Sequence, residues 1–175
     1  EELAANRVNA YEEIKKHPLD DRWHREQSAD LSKITIPFLS CANWGGQGIH
    51  PRGNYEGFTR AASAEKWLEV HGIEHWTEFY TDYGVNLQKR FFGHFLKGED
   101  TGWGQQPRVQ LQVRHVDKFV PRMENEWPLA RTQWTKCYLD PAGLTLGSAP
   151  AARAGSVTYA GLGDGVTFLT PPLEK

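Results

Sequence analysis

A chain of 175 residues is long enough for a domain with a buried core. Its 20 Lys and Arg against 22 Asp and Glu, a net charge of −2, exclude the basic surface that nucleic acid or an anionic membrane would need. No run approaches the ~18 apolar residues of a membrane span, and no basic stretch followed by an apolar one marks a leader, so the expected location is cytoplasmic.

Glu2 to Lys16 reads as a helix. Leu3, Val8, Tyr11 and Ile14 fall on one face, and Lys15 and Lys16 suit the negative end of its dipole. His17-Pro18 stops it, and Asp20 to Gln27 forms a short second helix. Ile34 to Cys41 is apolar on both faces, as a buried parallel strand should be, although Pro37 is out of place in a central strand. A Gly-rich loop follows. Asn54 then caps a helix over Tyr55 to Lys66, and Trp67 to Val70 is a second strand. A loop carrying His71 and His75 leads to an amphipathic helix, Val85 to Lys97, with Leu87, Phe91, Phe95 and Leu96 on one side and Gly98 at its C′ position. Strand, helix, strand, helix is the order of an α/β domain.

Near residue 100 the character changes. Asp100 to Pro107 is a linker, and Arg108 to Val116 alternates Val109, Leu111 and Val113 against Gln110, Gln112 and Arg114, the pattern of a half-buried strand. Phe119-Val120, Gln133 to Leu139, Leu144 to Leu146, Val157 to Tyr159 and Val166 to Leu169 continue as short β segments, with no helical period after Lys97. Three segments are therefore expected: residues 1–33 entering the core, 34–103 of α/β type, and 104–175 as a β-sandwich that is unfinished at its end.

The chemistry-bearing residues narrow the choices. Cys41 and Cys137 lie far apart without ligand spacing and read as structural thiols. His71 and His75 are four apart, but Gly72 opposes a helix between them and no Glu or Cys stands at ligand spacing, so no metal is expected. Gly161-Leu-Gly-Asp-Gly165 lacks the Lys-Ser/Thr and the helix of a phosphate loop and reads as a turn; no cofactor is implied. Trp76, Phe79, Tyr80 and Tyr83 fit either an acyl pocket or core packing. None of Ser28, Ser32, Ser40, Ser63, Ser148 and Ser156 stands in a Gly-x-Ser-x-Gly elbow.

Three stretches carry a family resemblance: Trp44 … Arg52-Gly53-Asn54-Tyr55-Glu56-Gly57-Phe58; Arg90-Phe91-Phe92-Gly93-His94-Phe95-Leu96-Lys97-Gly98; and Pro107 to Leu111 with Glu126-Trp127-Pro128 and Tyr138-Leu139. In this order they resemble the C-terminal part of the cocaine-esterase-like acyl hydrolases, the group that includes the X-prolyl dipeptidyl-peptidases. The resemblance implies the C-terminal half of an α/β-hydrolase domain after the end of a helical cap, followed by the start of a jelly-roll (β-sandwich) domain. It implies a Ser-His-acid mechanism on a small-molecule ester or short peptide. The general base falls on His75, with His71 as competitor or a structural role for both. The family acid falls on position 46, here Gly46. The nucleophile belongs to an N-terminal remainder of the same protein, so these residues alone would be inactive. The other reading is a non-catalytic binding or assembly module of the same fold, and self-association into a homo-oligomer is left open.

Overall fold

The computed structural model describes residues 7–172 apart from Gln47 and Ile49. Two short helices come first, α1 (Ala10–Lys16) and α2 (Arg22–Gln27). Asn9 caps α1 and Asp21 caps α2, each accepting backbone N–H groups of the first turn. Glu2 and Leu3, at the start of the expected first helix, lie outside the described residues.

The sheet begins with β1 (Phe38–Asn43), followed by α3 (Pro51–Arg60), β2 (Lys66–His71), α4 (His75–Phe79), α5 (Asp82–Lys97), β3 (Val109–Arg114) and β4 (Phe119–Glu124). Strand order is β1-β2-β3-β4. β1 and β3 both run parallel to β2, with Ala42 opposite Val70 and Val70 opposite Leu111, and β4 closes the far edge antiparallel to β3. The chain is thus mixed α/β.

β2 explains the layering. From Trp67 to His71 every residue is buried, because a central strand is covered on both faces. Leu68 and Val70 join Ala42, Phe58 and Val109 in a cluster on the α3 side. Trp67 packs with Leu87, Phe91 and Trp103 on the α5 side. Each fully buried aliphatic side chain contributes about 1.5–3 kcal/mol, so the two clusters fix both helices against one strand.

The chain divides into two compact units between Ala130 and Arg131. Past residue 100, where the residue pattern changes, β3 and β4 continue the sheet of β1 and β2. The second unit holds a hairpin, β5 (Tyr138–Asp140) with β6 (Thr145–Gly147), joined by a bridge from Thr145 to Leu169. The expected strands over Val157–Tyr159 and Val166–Leu169 reduce to that single bridge. No helix among the described residues is long and apolar enough to cross a membrane.

Candidate active site

Parallel strands β1 and β2 end side by side, Asn43 opposite His71. In open parallel sheets the crevice beyond the carboxyl ends of the strands is where reacting groups gather. The loop after β1 is held there by its own polar groups. Asn43, buried at the strand end, accepts the Gly46 N–H at 2.5 Å, and the Trp44 indole N–H donates to the Gln112 carbonyl at 2.7 Å. The loop ends at His50, the N-cap of α3, where Pro51 takes the first helical position. Asn54, expected as the cap, lies one turn inside; its amide donates to Ser40 Oγ and the Cys41 carbonyl, tying α3 to β1.

His75 does not hang in a loop beyond the strand. It is the first residue of α4, one short turn after β2. Gln112 fixes that turn from β3: its Oε1 accepts the Gly72 N–H at 2.9 Å and its Nε2 donates to Glu78 Oε1 at 3.3 Å. The His75 ring is half-buried between two other imidazoles, edge-on to His71 with centroids 5.5 Å apart and to His50 at 5.6 Å. On its open side is a pocket of about 480 Å3 lined by Asn43, Gly45, Gly46, His50, His75 and Trp76, among others. Burial, and after it any charge on His71 and His50, holds the His75 imidazole below the ordinary histidine range.

His71, the competitor, is 3% exposed. Its Nδ1 lies 2.8 Å from Glu69 Oε2, and its Nε2 is buried with no hydrogen-bond partner among the described residues. Glu69 is itself 2% exposed; burial pushes its carboxyl up, and the hydrogen bond from His71 works against that. The Tyr83 hydroxyl donates to Glu69 Oε1 at 3.4 Å. Burial and the nearby Glu69 charge push the Cys41 thiol up to about 12, so it is an inert small hydrophobe rather than a nucleophile. Glu69 escaped the sequence reading because the strand was expected to end at Val70. Trp67, Glu69 and His71 alternate onto one face of β2, and that period of two was the available signal.

The aromatics after His75 separate. Trp76 is 73% exposed at the pocket rim, while Phe79 and Tyr83 line a smaller cavity of about 140 Å3 behind His71 and His75. No His, Cys, Asp and Glu group among the described residues is arranged to hold a metal ion. No described hydrogen bond or ion pair joins a carboxylate to His75. A Cβ at Gly46 would stand 2.5 Å from Asn43 Oδ1 and 3.1 Å from His50 Cδ2, so the turn as folded has no room for a side chain there.

No family model matches the sequence. The cocaine esterase of Rhodococcus sp. (strain MB1 Bresler) is 30% identical over 90 residues, 51% of this chain and 15% of that protein. Two crystal structures of a CocE/NonD family hydrolase from Staphylococcus aureus each match with a TM-score of 0.71 and 37% identity, over 81% of this chain. The chain is similar in sequence and in fold to cocaine-esterase-like hydrolases. It spans 26% of the length of the staphylococcal hydrolase. The resemblance read from the three stretches is thus met by relatives in both sequence and structure, over a minor part of each relative's length.

Proposed function

We propose that this cocaine-esterase-like chain supplies the general base, His75, of a serine acyl hydrolase, and that it forms the C-terminal half of an α/β-hydrolase domain leading into a jelly-roll. The observation that carries the reading is the His75 ring, half-buried at the carboxyl edge of two parallel strands and open to a pocket. An imidazole held neutral by burial is the state a base needs at neutral pH. It takes the proton of a serine hydroxyl as Oγ attacks the acyl carbon, gives that proton to the leaving group, then activates water against the acyl-enzyme.

No serine lines the pocket among the described residues, so the nucleophile and the oxyanion hole belong to residues beyond these 175. The small share of each relative that the chain spans supports this. Small-molecule esters and short peptides, X-Pro dipeptides included, are the substrate class in keeping with the family. Two unpaired cysteines are in keeping with a cytoplasmic location.

The experiment is fluorophosphonate labelling and ester turnover of the full-length protein. Labelling of a serine, together with a His75→Ala variant that folds and loses turnover by orders of magnitude, is expected. A protein that takes no label and cleaves no ester is the non-catalytic module instead.

A further inference from the structure

We infer that the buried Glu69–His71 pair is the device that orients His75, with the Nε2 lone pair of His71 accepting an N–H of the His75 ring. This rests on the reading of His75 as the base.

A catalytic imidazole needs one nitrogen held so that the other faces the nucleophile. Nothing described does this through a carboxylate bound to His75, and position 46 is a glycine against which the Asn43 and His50 side chains stand. What stands against the ring is two imidazoles. His50 is exposed. His71 is backed by a carboxylate: its side chain and that of Glu69 are 4% and 3% exposed and meet at 2.8 Å. A carboxylate on Nδ1 fixes the proton there and leaves Nε2 as an acceptor. That Nε2 is fully buried with no partner among the described residues, a costly state for a polar atom. The nearest ring that can offer it an N–H is His75, edge-on at 5.5 Å between centroids.

A small rotation of the His75 ring makes the bond and points its other nitrogen at the pocket. No proton passes to Glu69. The carboxylate acts through one neutral ring on the next, favouring the imidazolium that forms on His75 during turnover. Glu69 and His71 are therefore positioning residues. The other titratable groups sharing the two cavities with His75 are His50 and Glu74 on the loop side and Cys41, Glu78 and Tyr83 on the α5 side.

The test uses the full-length protein and a chromogenic ester. Glu69→Gln keeps the shape and an acceptor for His71 but removes the charge; His71→Asn keeps the link to Glu69 and removes Nε2. Each is expected to lower kcat by about 10- to 100-fold with KM little changed, and Glu69→Gln to move the acid limb of the kcat/KM profile to lower pH. Wild-type kcat and an unmoved limb in a folded variant would overturn the inference. Should the buried variants fail to fold, 15N-histidine spectra of the wild-type protein decide. A neutral, Nδ1-protonated His71 across the active pH range supports the relay, and a doubly protonated or Nε2-protonated ring ends it. A folded His75→Ala variant with full turnover sinks the base assignment itself. An inactive His75→Ala beside an unaffected Glu69→Gln sinks only the relay.

Discussion

On the proposed reading, His75 and Gly46 are the single residues that bear most directly on the chemistry. Burial lowers the affinity of the His75 imidazole for a proton, and any charge on His71 and His50 acts in the same direction. The folded-state value therefore lies under the ordinary ~6.5 of histidine. In that window the unfolded chain binds more protons at this site than the folded one, so its contribution to stability rises with pH. If His75 is the base proposed above, the acid limb of kcat/KM in the full-length protein is expected below pH ~6.5; a limb at or above that value would show His75 is not the titrating base. At Gly46 the observed contact predicts the effect of Gly46→Ala. The new methyl displaces the Asn43 side chain from the Gly46 N–H, at a cost of about 1 kcal/mol, measured by chemical denaturation; an unchanged midpoint would mean the turn yields freely. The family resemblance pointed to His75, whereas Glu69 looked like one more charged residue in a short strand. Its pairing is an i, i+2 relation that appears only once β2 is known to continue to His71.

At the scale of elements, the junction of α4 and α5 sets where His75 points. Thr81 caps α5, its hydroxyl oxygen accepting the Gly84 N–H at 3.1 Å and its O–H donating to the Glu78 carbonyl at 2.7 Å. Gly84 lies directly on that last turn of α4: a Cβ there would collide with the Glu78 carbonyl oxygen, which is backbone and cannot swing aside. Gly84→Ala is accordingly expected to cost about 1–3 kcal/mol and Thr81→Ala about 1 kcal/mol, both read as shifts in the unfolding midpoint; neutrality of Gly84→Ala would show that the two helices do not pack this tightly. These contacts also explain why the helix was expected only from Val85. Asp82-Tyr83-Gly84 has loop composition, and a glycine required for close approach looks the same in sequence as one required for a turn. Pro37 worked the other way. It has no N–H for a ladder, and the strand begins just after it, with the Phe38 N–H donating to the Glu65 carbonyl at 3.0 Å.

Across the whole chain, stability is unevenly distributed. Every fully or nearly buried hydrophobic residue among those described lies between Ala42 and Val109, within the first compact unit. The second unit has one short hairpin and a bridge, while Trp134, Tyr159, Leu162 and Leu169 stand exposed. Alternation located β3 well enough, but periodicity does not name a partner. That Val109 to Leu111 would lie parallel to β2 depends on a pairing across about forty residues that no local pattern encodes. A region with few buried apolar contacts opens at little free energy, whereas a strand covered on both faces opens only with its whole core. Hydrogen exchange should therefore be slowest at the amides of β2 and at the start of β3, including Leu68, which donates to the Arg108 carbonyl at 2.9 Å. It should be fast over residues 148–168, where no sheet ladder is present. If this segment instead exchanged as slowly as β2 in the full-length protein, the apolar side chains left open here would be buried there against strands from outside the chain. That result would support the proposed jelly-roll, completed by those strands.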